Sequence, residues 1–131
     1  MKKIVHVLLI IALIYSCNNT EDNETLSSDP IIGKWQLFQD IENGTDISTS
    51  CSRQGTLSFS EDGNFEGIYF TEDSGQNTTA CISETQNAFW LNKGSNLYTV
   101  DGITRKITFK ENFTILELPN GSLTSIFKKL N

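Results

Sequence analysis

From Ile31 onward, large apolar residues stand two apart with polar residues between them, and Gly, Asn or Asp breaks the pattern roughly every 8 to 12 residues. A period of two sends successive side chains to opposite faces of an extended strand, whereas a helix needs apolar residues three and four apart. The pattern therefore predicts an all-β fold with no helix of consequence. Leu57 and Phe59 alternate with Ser58 and Ser60, Glu61-Asp62-Gly63-Asn64 makes a turn, and residues 65–70 return, forming the clearest hairpin. Further strands are expected at 88–91, 97–100, 103–110, 113–118 and 123–130. Turns fall between them at Lys93-Gly94-Ser95-Asn96, Asp101-Gly102, Glu111-Asn112 and Pro119-Asn120-Gly121-Ser122. With 32–38 this makes eight short antiparallel strands in succession. Hairpin-linked strands leave exposed edges unless the sheet closes, so a small up-and-down eight-stranded barrel is expected, with a β-sandwich as the alternative. Residues 39–53 read as a loop over one barrel end with room for a short helix.

The N-terminus runs Met1-Lys2-Lys3, an apolar stretch over 4–14, then Tyr15-Ser16-Cys17, the charged, apolar and small-residue order of an export signal. The stretch is shorter than the roughly 20 residues a spanning helix needs, so removal is expected rather than a permanent membrane span. Ile14, Ser16 and Cys17 resemble the lipobox of bacterial lipoproteins, with Tyr15 where that family usually has a small residue. The resemblance implies a signal peptide over 1–16, a lipid on Cys17 and membrane attachment through it. Residues 17–30 then form a lipidated flexible tether, too poor in apolar groups to order by themselves, and 31–131 the folded domain. Glu21-Asp22 with Glu24 resembles the acidic export signals of Bacteroidota surface lipoproteins. The expected location is the cell envelope, lipid-anchored at the outer membrane on its periplasmic face or at the cell surface.

Three cysteines leave an odd one in an exported chain. With Cys17 acylated, Cys51 and Cys81 remain to form a disulfide in an oxidising compartment. Loss of Lys2 and Lys3 takes the formal charge from −6 to −8. A chain so acidic, without a basic stripe, excludes nucleic acid as a partner.

At Gly33-Lys34-Trp35 the chain resembles the Gly-x-Trp signature of the lipocalin superfamily. The wider arrangement is residues 32–37, Cys51, the run from Gly55 through Phe59 to Phe65, Cys81, Trp90, Leu97 and 107–116. Together these resemble the lipocalin-like domains of small Bacteroidota lipoproteins over 31–128. The resemblance implies a lipocalin-like barrel in which Gly33 and Trp35 form the barrel-end signature. Trp35 would lie under a basic residue of the last strand, here Lys128 or Lys129. It speaks to fold far more than to activity.

The single histidine is His6, inside the signal, so the mature chain has no imidazole for a Ser-His-Asp or Cys-His arrangement. Pairing of the cysteines leaves no thiolate nucleophile or zinc-binding set. The expectation is a non-enzymatic protein with no cofactor and no metal. Glu61-Asp62, Glu66 and Glu72-Asp73 are the residue types of glycoside hydrolysis and calcium binding, but they fall at turns or on outward phases and read as solvated. The Asn-x-Ser/Thr triplets at Asn43, Asn77, Asn112 and Asn120 read as turn residues.

Arg105 shares one phase with Ile103, Ile107 and Phe109, the inward phase of its strand. A guanidinium inside a barrel needs a partner or an anionic ligand headgroup; the alternative is that it snorkels out of the mouth. Eight Phe with Trp35, Trp90, Tyr69 and Tyr98 crowd the domain, and eight strands leave an interior filled by side chains or holding one small ligand. Arg105, Trp90, Tyr69 and Phe109 are the candidate ligand-binding residues. Two functions follow. One is binding of a small hydrophobic or amphipathic molecule; the other is a filled barrel whose loops at 39–53 and 72–80 contact a protein or envelope partner.

Overall fold

The computed structural model describes residues 28–73 and 80–131. The expected export signal, Cys17, most of the expected tether, Asn77 and most of the 72–80 loop lie outside them. Among the described residues no helix is long and apolar enough to cross a membrane.

The alternating segments form β1 (Gly33–Glu42), β2 (Thr45–Asp46), β3 (Thr56–Phe59), β4 (Asn64–Asp73) and β5 (Ala80–Gly94). They continue as β6 (Leu97–Val100), β7 (Ile103–Lys106), β8 (Thr108–Lys110), β9 (Ile115–Asn120) and β10 (Leu123–Lys129). A 3₁₀ turn occupies Ser52–Gln54. All pairings are antiparallel, and neighbours run β7-β6-β5-β4-β3-β1-β10-β9-β8, with β2 on β1. The meander curls until its last strand meets its first.

The two ends of this order, β7 and β8, are successive halves of one segment broken at Ile107. Residues 103–106 pair with β6 and 108–110 with β9, and no residue of the segment pairs on both sides. The backbone ladder is therefore not closed, and the seam is bridged by other means. Ile107 N donates to Asn96 O (2.9 Å), which continues the β6 side by one residue, and across the seam Arg105 Nη1 donates to Asn120 Oδ1 (2.8 Å), tying β7 to β9. Pro119 is tolerated in β9 because β8 stops at the Thr108↔Glu117 pair, so the missing N–H lies where the strand has one neighbour only.

Ten strands replace the expected eight, because β2 is added beside β1 and the expected strand 103–110 is split into β7 and β8; other bounds shift for local reasons. β1 carries a bulge between Leu37 and Gln39, which leaves Phe38 without a partner on β10. An extra residue reverses the inward phase, so Asp40 rather than an apolar residue faces inward, where it accepts from Ser125 Oγ (2.5 Å). The strand thus continues through what the sequence marks as the start of a loop. β5 begins at Ala80 rather than 88 because Ala80–Asn87 pair with β4 while remaining exposed, a strand half without apolar alternation. β9 begins at Ile115 rather than 113 because Glu111, Asn112 and Phe113 all adopt left-handed backbone (φ 49, 54 and 63°), which cannot extend a strand.

The core is Ile31, Trp35, Leu57, Phe59, Phe65, Tyr98, Ile107, Leu116 and Phe127, all buried. Trp35 closes one end. Its Nε1 donates to Ile31 O (2.7 Å), and Lys129 Nζ sits 5.0 Å from its ring centroid while donating to Pro30 O (3.1 Å). Lys128, one residue earlier, lies on the other face over Phe38 at 3.5 Å. Strand alternation therefore selects Lys129 as the residue covering Trp35. Asp29 fastens the chain to the same end: its carboxylate accepts from Ile31 N (3.1 Å), Tyr98 Oη (2.8 Å) and Asn92 Nδ2 (2.5 Å). At the opposite end the Cys51–Cys81 disulfide (Cα–Cα 5.3 Å) ties the start of β5 to the segment before the 3₁₀ turn.

Candidate functional site

The side chains above the Trp35 end do not fill the interior. A cavity of about 270 Å³ remains between β3, β4, β6, β7, β9 and β10, open toward the Asp101-Gly102 and Asn120-Gly121 turns. Its floor is the inward phase of those strands: Leu57 and Phe59, Phe65, Tyr98, Ile107, Leu116 and Phe127, all buried. Its rim is mixed, with Tyr69, Gln86, Asp101, Ile103, Arg105, Asn120 and Ser125. A second hollow of about 470 Å³ lies along β3, β4 and β5, bordered by Ser58, Ser60, Asn64, Glu66 and Asn87. It offers no cation, and although Phe59, Phe65, Ala88 and Phe89 also border it, it is more open to solvent than the first.

Arg105 enters the cavity as the alternation of β7 demands, with Ile103 at the rim and Ile107 in the floor. Its bond to Asn120 holds the guanidinium against β9, and it is half-buried. Tyr69 also lines the cavity, on the same phase as Phe65 and Gly67. Its ring folds back over Gly67, where an added Cβ would stand 2.6 Å from the phenolic oxygen. Burial pushes the Tyr69 phenol above its ordinary value.

Trp90 and Phe109 are not in the cavity wall. Both keep the inward phase, but at the closed end, where they support the floor from beneath. Trp90 stacks edge-on against Phe59 (5.9 Å), and its Nε1 donates to Ser60 O (2.9 Å). Phe109 lies 6.1 Å from both Trp35 and Tyr98. Tyr98 joins the two groups; burial first and its bond to Asp29 second push its phenol far above the usual value. Asn120 is the site residue that sequence reasoning assigned to a turn alone. Its role depends on Arg105, which lies on a strand that is not adjacent to its own.

Of the acidic residues, Asp101 accepts from Gln86 Nε2 (3.4 Å) at the rim, and Asp40 reaches the cavity wall through its bond from Ser125 Oγ. Asp62 is a turn acceptor for Ser60 Oγ (2.5 Å) and Asn64 N (3.2 Å), bonds that hold its carboxyl below the usual range. Glu66 and Glu72 are exposed on β4. Among the described residues no group of three or more His, Cys, Asp or Glu is placed to hold a metal ion.

An open antiparallel meander, a tryptophan plug under a lysine and an interior cavity describe a recognisable architecture. A sequence profile of the lipocalin-like domain matches residues 31–125. The chain belongs to this family. The crystal structure of a lipocalin-like protein from Bacteroides uniformis ATCC 8492 is similar, with a TM-score of 0.56 and 21% sequence identity, over 78% of this chain and 100% of that one. That likeness concerns the fold. No curated protein matches the chain. Within the lipocalin-like domain, Gly33 and Trp35 occupy the plugged end and Arg105 the open one.

Proposed function

We propose that this protein is a lipid-anchored lipoprotein of the cell envelope whose lipocalin-like domain binds one small hydrophobic or amphipathic molecule without chemical conversion. The observation that carries this reading is the cavity: about 270 Å³, larger than the roughly 150 Å³ that accepts a benzene and just under the roughly 300 Å³ at which pockets for larger ligands begin. Its aromatic floor suits an apolar body, and its polar rim suits a single headgroup. A filled barrel acting only through its loops is less favoured, because the interior is not filled. Anchoring through Cys17 at the outer membrane rests on the lipobox-like segment and the acidic tether.

Both halves are testable on the full chain produced in a Gram-negative host. Labelled palmitate should enter the wild type and not Cys17→Ser; equal labelling would remove the anchor. Native mass spectrometry of the purified protein, before and after challenge with envelope lipid extract, should show a small-molecule adduct that is lost on unfolding. A clean apo mass in both samples would transfer the function to the loops.

A further inference from the structure

We propose that the ligand is a small monocarboxylic acid whose acid group is read by Arg105 and whose apolar body lies on the aromatic floor; this rests on the ligand-binding reading above. Arg105 is a half-buried cation in the wall of a chamber with an apolar floor and a rim of polar residues. Among the described residues, the ion pairs within 4.0 Å involve Arg53 and Lys110, and no carboxylate lies that close to Arg105. Its partner, Asn120, is neutral. That bond engages one of the five N–H donors of a guanidinium. It orients the fork without neutralising it, and a partly desolvated charge lacking a counter-ion favours an anion in its vicinity.

The kind of anion follows from the surroundings. Asp101 at the rim and the formal charge of −6 for the chain oppose a second negative charge on the ligand. This disfavours phosphate monoesters and dicarboxylates. A planar carboxylate matches the fork of Arg, and Phe59, Phe65, Phe127 and Tyr98 provide a buried surface for a ring or short alkyl chain. Asn120 acts as a positioning residue.

Titration calorimetry with octanoate, 1-octanol and octyl phosphate at neutral pH decides the matter on the full chain. The wild type should bind octanoate roughly 10- to 100-fold more tightly than 1-octanol, the ratio expected from a hydrogen bond to a charged group. Arg105→Gln should abolish that preference and leave 1-octanol binding unchanged. Asn120→Asp supplies an internal counter-ion of the same shape and should abolish it too, which keeps the test valid if Arg105→Gln fails to fold. Equal binding of octanoate and 1-octanol by the wild type, or a preference that survives in Asn120→Asp, overturns the assignment. Octyl phosphate binding as tightly as octanoate overturns its monocarboxylate part. If neither octanoate nor 1-octanol binds, the ligand-binding reading itself fails.

Discussion

Gly33→Ala should weaken the plugged end by two separable routes. Gly33 has φ +129°, a region essentially reserved for glycine, and forcing alanine there costs about 1–3 kcal/mol. The new Cβ would also stand 2.8 Å from Lys129 Cε, so the lysine must move. Moving it sacrifices the Nζ bond to Pro30 O, worth about 1 kcal/mol for a half-exposed charge. It also sacrifices the position over Trp35, worth about 0.5–1 kcal/mol. The sum is about 2.5–5 kcal/mol, or a Tm lower by at least roughly 10 °C for a domain of this size.

Urea unfolding followed by tryptophan fluorescence measures the change, with an unchanged m-value as the sign that stability alone has moved. Lys129→Ala removes the colliding carbon. In that background Gly33→Ala should cost only the backbone share, giving a coupling of about 1–2 kcal/mol in the double-mutant cycle. A single-variant cost below about 1 kcal/mol, or strict additivity, would refute the steric argument.

The Cys51–Cys81 bridge spans 30 residues, so Cys51→Ser with Cys81→Ser should lower stability by about 3–4 kcal/mol on the chain-entropy estimate, read as a urea midpoint matching that of the reduced wild type. Asp46 is held at about 2 instead of 3.8, chiefly by Ser48 and to a lesser degree by Gln39 and Arg53. Because its folded value lies below its unfolded one, its contribution is complete above 3.8 and is lost as pH falls toward about 2; Asp46→Asn should flatten the stability curve in that window and leave neutral pH slopes unaltered. Tyr98 is shifted the other way, so its contribution is present below pH 10 and lost as pH rises beyond it, and Tyr98→Phe should flatten the alkaline arm in a pH series of urea midpoints. Gly67→Ala should expel the Tyr69 ring from its seat and bring that phenol back toward 10.0, visible as an earlier step in an ultraviolet pH titration.

Where alternation was strong, strand positions could be read directly: Leu57 and Phe59, Phe65, and Ile103 to Phe109 all keep the phase that the pattern assigns. Reading failed where the backbone left the regular pleat. The bulge at Phe38 reversed the phase of β1 and made its second half look like loop. The polar stretch Ala80–Asn87 is a strand only because β4 supplies its partners. Phe113 looks like a strand residue but occupies left-handed backbone and packs on Phe109 at 5.8 Å. The candidate site was legible in the same partial way. Arg105 and Tyr69 could be placed inward from their strands, while Trp90 and Phe109, equally inward, belong to the plugged end because depth along the strands has no signature in a period of two.

By itself the sequence determines the antiparallel class, the turns, the inward faces and the residue types available at each, because alternation and turn chemistry are local properties of neighbouring residues. Only the tertiary structure decides which strands meet, and it does so through register. Register sets Lys129 rather than Lys128 over Trp35, breaks the seam at Ile107 and brings Asn120 to Arg105. It also leaves about 270 Å³ empty beside that guanidinium, since an unfilled volume depends on how distant side chains pack together.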